Sequence, residues 1–129
     1  MASKRDLAAL RRLLQRRRHE LLETTASGDR EILSLRNQTR DPESEESAQV
    51  EVADFALSHV LESRRAEIDE VDAALARMDS GTYGLCAECH QPVPMSRLKA
   101  LPYTLLCEED AERNEADRHA ANPAAQPTL

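Results

Sequence analysis

The chain has 129 residues, room for one ordinary domain, but its composition does not suit an ordinary globular core: nearly a third is charged, and the aromatic residues are Phe55, Tyr83 and Tyr103 alone, with no Trp. Ala, Leu, Glu and Arg dominate and Gly is confined to positions 28, 81 and 84, which points to long helices packed along narrow seams and excludes an all-β fold. The net charge of −7 disfavours DNA binding as the main activity, because phosphates repel an acidic protein.

The first helix is expected from Ser3 to about Gln38. Leu7, Leu10, Leu14, Leu21, Ile32 and Leu35 recur at spacings near three and four, and Ser3 with Asp6 can cap the start. Arg17, Thr24 and Gly28 interrupt the stripe, and Gly28 marks a point where the helix is expected to bend or weaken, since Gly costs about 1 kcal/mol relative to Ala inside a helix. Charge is uneven: Lys4, Arg5, Arg11, Arg12, Arg16, Arg17 and Arg18 crowd the first twenty residues, either as a solvated face or as a contact surface.

Asp41 and Pro42 break the pattern, because Pro disfavours α conformation in the residue before it and suits the first turn of a new helix. The acidic run that follows favours a helix N-terminus. A second helix is expected from about Glu43 to Asp79, with Leu57, Leu61, Ile68, Val71, Leu75 and Met78 as its stripe, Arg64 interrupting it, and Val50 and Phe55 extending the apolar surface. Two such helices form an antiparallel coiled-coil hairpin over residues 1–80, about 50 Å long, with an acidic tip near 41–48.

Ser80 and Gly81 end that helix, and a cysteine module follows over residues 81–120. Cys86 and Cys89 form a C-x2-C pair; seventeen residues separate them from Cys107, which is followed by Asp110 where a second pair would hold cysteine. That is zinc-ribbon-type spacing, with two knuckles completing a tetrahedron around Zn2+. A carboxylate can fill the fourth position, at an affinity below that of four thiolates. His90 adjoins Cys89 and His119 lies too far along, so both rank below Asp110 as ligands. The alternative is a finger folded without metal, whose thiols are structural or redox-active. A short helix is expected from near Cys107 to about Ala120, and residues 121–129 are expected to be disordered.

The odd cysteine count argues against a disulfide framework and for a reducing cytoplasm; no signal peptide is evident, and no apolar run approaches the roughly 20 residues of a membrane span. No Gly-rich phosphate loop or nucleophile–base signature supports an enzyme.

The run Gly81, Thr82, Tyr83, Gly84, Leu85, Cys86, then Cys89, Pro92, Arg97, Leu98, Ala100, Pro102 and Cys107, resembles the finger of the DksA/TraR family, and Ile68 to Met78 resembles the end of that family's second coiled-coil helix. The resemblance covers about residues 40–116. It implies an all-α transcription regulator: a long antiparallel two-helix hairpin, a small zinc-finger-like module and a short C-terminal helix. It further implies that bacterial RNA polymerase is the partner, that the hairpin enters the secondary channel, and that an acidic D-x-x-D-x-A motif acts near the active site without DNA contact. Counted back from Cys86 without a gap, the motif falls on Glu43, Glu46 and Ala48, with both acids as Glu. Members that respond to the alarmone ppGpp use basic residues at positions that here hold Ser63, Glu70, Leu101 and Ala111, so alarmone binding is not expected.

Three other readings compete with a polymerase-binding monomer. A thiol or metal redox sensor would use the three cysteines, although Glu88, Glu108 and Glu109 raise thiol pKa values unless metal is bound. A structural coiled-coil adaptor would have to bury Arg17 and Arg64 in a dimer seam. A DNA-binding finger would need a basic helix after Cys107, and the sequence there is acidic.

Overall fold

The computed structural model describes residues 3–38 and 45–121. Four helices follow in order, α1 (Lys4–Arg36), α2 (Glu45–Ser80), α3 (Met95–Ala100) and α4 (Glu108–Ala121), and among the described residues no strand forms. The fold is all-α, an antiparallel two-helix hairpin with a small finger and a C-terminal helix. The ribbon character of the finger is reduced to one isolated bridge between Leu85 and Pro92. The expected tip residues 41–44 and the tail beyond Ala121 lie outside the described residues. The chain forms two compact units, one of residues 14–73 and the other of residues 1–13 with 74–129.

In the unit of residues 14–73 the helices meet along a seam in which Leu14, Leu21, Thr25 and Ile32 of α1 and Ser47, Val50, Leu61 and Val71 of α2 are buried. The ion pairs Arg17–Glu67, Asp29–Arg65 and Arg36–Asp54 ascend α1 as they descend α2, which fixes the antiparallel sense, and Arg18 pairs with Asp72 beside the first of them. The interruptions of the stripe are accommodated in three ways. Arg17 donates through Nε and Nη2 to the two Glu67 oxygens at 3.0 Å each, and Arg64 approaches the same carboxylate at 3.7 Å. Thr25, not Thr24, faces the seam, and its hydroxyl donates to the Leu22 carbonyl at 3.0 Å, while exposed Thr24 bonds the Glu20 carbonyl. Gly28 does not break α1: a Cβ there would overlap the Leu61 side chain, so the glycine is the notch into which Leu61 packs. Phe55 does not join the seam. It is 76% exposed and stacks on His59 one turn away, with ring centroids 6.5 Å apart.

The other unit carries the finger. Its α1 segment begins in a capping box: Ser3 Oγ accepts from the Asp6 N–H at 3.1 Å, and the Asp6 carboxylate accepts from the Ser3 N–H and hydroxyl. Its α2 segment ends in a Schellman motif. Gly81 turns into the left-handed region at φ 78°, the Thr82 N–H bonds the Arg77 carbonyl at 3.0 Å, and the Gly81 N–H bonds that of Met78 at 3.3 Å. Leu10, Ala74, Tyr83, Cys86, Val93 and Leu98 form the core of this unit. The short helix α3 went unread in the sequence. It starts after Pro94, buries Leu98, and lets Arg97 donate through Nε to the Leu106 carbonyl at 3.0 Å.

Candidate metal centre

The backbone prepares the first knuckle. The Cys86 N–H bonds the Gln91 carbonyl at 2.9 Å, and the His90 N–H bonds back to the Cys86 carbonyl at 3.0 Å, closing a turn that holds Cys86 and Cys89 on one side. Gly84, at φ 85°, aims the chain into it, and the Val93 N–H bonds the Gly84 carbonyl at 2.7 Å. His90 sits at φ 62°, a left-handed conformation in which His is less strained than most residues, so its place in the knuckle is a backbone one. The second knuckle is the start of α4, where the Ala111 N–H bonds the Cys107 carbonyl at 2.9 Å and Asp110 lies in the first turn. The Ala87 N–H ties the knuckles together by bonding the Leu105 carbonyl at 2.8 Å.

Tyr83 and Arg77 brace this arrangement, together with the bond of Arg97 to the Leu106 carbonyl. The Tyr83 hydroxyl donates to the Pro102 carbonyl at 2.7 Å, and Arg77 reaches the Tyr103 carbonyl at 3.4 Å. Burial pushes the Tyr83 phenol up, against the opposing pull of Arg77. The residues that make the finger motif distinctive therefore hold the loop between the knuckles closed.

The knuckles bring Cys86, Cys89, Cys107 and Asp110 together, with one donor atom of each within 4.8 Å of all the others. Neither His90 nor His119 belongs to this group. Cys89 Sγ and Cys107 Sγ are 3.9 Å apart, and Asp110 Oδ2 lies 3.0 Å from Cys86 Sγ and 3.2 Å from Cys107 Sγ. A tetrahedron with Zn–S near 2.3 Å places its sulfurs about 3.8 Å apart, so the donors already stand close to ligand spacing. Three soft sulfurs and one oxygen in a tetrahedral array are a donor set suited to Zn2+. Cys86 and Asp110 are buried, Cys89 is exposed and Cys107 is half-buried, so the cluster is anchored on one side and open on the other.

The protonation pattern follows from the geometry. Thiol hydrogen bonds from Cys86, then Cys107 and Cys89, hold the Asp110 carboxyl below its ordinary range, with Arg113 adding to the effect. At Cys86 burial opposes ionisation, but N–H donation from Cys89, Cys107 and Glu88 overcomes it and the thiol is lowered. At Cys89 the Gln91 N–H favours the thiolate, but the Asp110 carboxylate, desolvation and the neighbouring cysteines prevail and push the thiol up to about 12. Cys107 is also raised: the Asp110 N–H lowers it, and desolvation with the Asp110 and Cys86 side chains outweighs that.

The second expected site is only partly described. Glu46 and Ala48 are exposed in the first turn of α2, Ser47 between them is buried, and Glu43 lies outside the described residues. Of the positions aligned with alarmone-binding residues, Ser63, Glu70 and Leu101 are exposed and Ala111 is half-buried.

A long antiparallel helical hairpin with a knuckled four-donor finger defines a class of small zinc-finger proteins. Residues 81–116 match the model of the prokaryotic DksA/TraR C4-type zinc finger. The structure of transcription factor DksA2 from Pseudomonas aeruginosa superposes with a TM-score of 0.82 at 28% identity, over 91% of this chain and 88% of that one. The finger of this chain, residues 81–116, is thus a DksA/TraR-type finger, and the fold around it is similar to that of a DksA protein. An uncharacterised protein of Aquifex aeolicus is 30% identical over 91 residues, 70% of this chain and 63% of that protein. The RNA polymerase-binding transcription factor DksA of Caulobacter vibrioides is 38% identical over 52 residues, 40% of this chain and 37% of that factor. The chain thus spans less than two thirds of the length of these curated relatives. Asp110 is its departure from the four-cysteine pattern.

Proposed function

We propose that this protein regulates transcription by binding bacterial RNA polymerase in the cytoplasm, as a monomer and without direct contact to DNA. The observation that carries the reading is the match of 91% of the chain to the structure of a DksA-type transcription factor, together with the family's finger at residues 81–116. In this account the finger is a structural zinc site held by Cys86, Cys89, Cys107 and Asp110, and the hairpin enters the secondary channel. Glu43 and Glu46 then bring carboxylates near the polymerase active site, and Ala48 keeps the surface beside them small. The action is electrostatic and positional: the tip changes the stability of promoter complexes, no bond is made or broken, and the protein is not an enzyme. Exposure of Glu46 and Ala48 at the start of α2 supports this use of the tip. The absence of a Lys or Arg at positions 63, 70, 101 and 111 supports action without the alarmone.

Two observations weigh against the competing readings. Arg17 and Arg64, which would burden a dimer seam, converge on Glu67 of the same chain. The 3.9 Å approach of Cys89 to Cys107 favours a thiol sensor, but a Cys89 thiol pushed up to about 12 is a poor nucleophile. In vitro transcription with purified polymerase tests the proposal. Glu43→Ala/Glu46→Ala is expected to bind polymerase like the parent yet leave promoter output unchanged. Full activity of the double variant would refute the tip assignment.

A further inference from the structure

We propose that Arg113 is a positioning residue that makes Asp110 a one-oxygen ligand, so that a carboxylate can stand where the family's finger has a thiolate. The inference rests on the zinc-site reading above. A thiolate offers a metal one donor atom, whereas a carboxylate offers two, and a free second oxygen can swing in to raise the coordination number or draw water into the site. In this structure the two oxygens of Asp110 have separate partners. Oδ2 faces the sulfurs, 3.0 Å from Cys86 and 3.2 Å from Cys107. Oδ1 accepts from Arg113 Nη1 at 3.3 Å.

The helix supplies this geometry. Asp110 and Arg113 are three apart in α4, hence neighbours on one face, and Glu109 lies 3.6 Å from Arg113 Nη2 and steadies the guanidinium. The Asp110 side chain is 5% exposed and that of Arg113 61%, so the guanidinium caps a buried carboxylate from the solvent side. Partners that orient a metal ligand in this way typically change affinity by about 10- to 100-fold when removed. Arg113 lies only six residues after Cys107, but ligand-spacing rules do not single it out because a guanidinium is not a metal ligand.

The test uses the full chain with Zn2+ and Co2+ alone. Zinc affinity is read by competition with a chromophoric chelator, and coordination geometry by the visible absorption of bound Co2+. Arg113→Ala is expected to weaken zinc binding about tenfold and to lower the intensity of the tetrahedral Co2+ bands. Arg113→Lys, which keeps a donor for Oδ1, should recover much of both. In an Asp110→Cys background, where no second oxygen exists, Arg113→Ala should leave affinity and spectrum unchanged. An equal loss in both backgrounds would mean a general charge effect and would overturn the proposal, as would a parent-like Arg113→Ala. If the parent chain takes up neither metal, the zinc-site reading itself fails and this inference fails with it. Parent-like helical circular dichroism in every variant excludes misfolding as the cause of a loss.

Discussion

Gly28→Ala is a perturbation for which helix propensity and packing predict opposite signs. Gly28 lies inside a 33-residue helix, and on propensity alone Ala should stabilise it by about 1 kcal/mol. A Cβ at this position would overlap Leu61 Cδ2 and stand 3.1 Å from both Cδ1 and Cγ. Leu61 is 1% exposed, so it cannot swing into solvent, and forcing a methyl group into a packed seam costs about 1–3 kcal/mol. The two terms leave a net destabilisation of about 1 kcal/mol. Leu61→Ala alone should cost about 2–5 kcal/mol, because it empties the notch. In that background the collision is gone, and Gly28→Ala should now stabilise by about 1 kcal/mol. Urea unfolding followed by circular dichroism, on the two single variants and the double, measures this reversal of sign. If Gly28→Ala stabilised the parent protein, Gly28 would be a weak point in the helix and the packing argument would be wrong.

Other outcomes follow from the finger and the exposed face of α2. Zinc affinity should rise with pH: thiols at Cys89, pushed up to about 12, and at Cys107, also raised, must each give up a proton on binding. At least two released protons, with Cys86 adding to them wherever its thiol is still protonated, mean an apparent Kd that falls at least about 100-fold per pH unit through neutrality, measurable by chelator competition at several pH values. A pH-independent Kd would contradict this protonation pattern. Tyr83→Phe removes the 2.7 Å bond to the Pro102 carbonyl in a buried setting and should cost about 1–3 kcal/mol in thermal unfolding. Phe55→Ala should change stability by no more than about 0.5 kcal/mol, since the ring is mostly in solvent; a larger loss would show that Phe55 is packed after all.

Period and punctuation made most of the fold legible. The stripe from Leu57 to Met78 marks the buried side of α2, Gly81 marks its end, and the cysteine spacing marks two knuckles. What period cannot supply is the identity of the partner across the seam. Arg17 and Arg64 read as interruptions because Glu67, which both approach, lies on the other helix from Arg17 and off the apolar stripe. Gly28 read as a fault because Leu61, which fills its notch, is 33 positions away and belongs to α2. Phe55 read as core because it is apolar, but its helical angle turns it outward beside His59. Six-residue α3 is too short to show a period, although Arg97 and Leu98, which brace the finger from it, stood within the recognisable motif. The metal donors were legible by spacing; the separation of the Asp110 oxygens between the sulfurs and Arg113 is a matter of side-chain direction, which spacing does not encode.

The most direct test of the functional account is equilibrium binding of the full chain to bacterial RNA polymerase core enzyme, in competition with a factor that occupies the secondary channel. The account predicts saturable binding that the competing factor displaces, with Glu43→Ala/Glu46→Ala bound as tightly as the parent. Failure of folded, zinc-loaded protein to bind its cognate polymerase, or binding that the competitor leaves untouched, would contradict it.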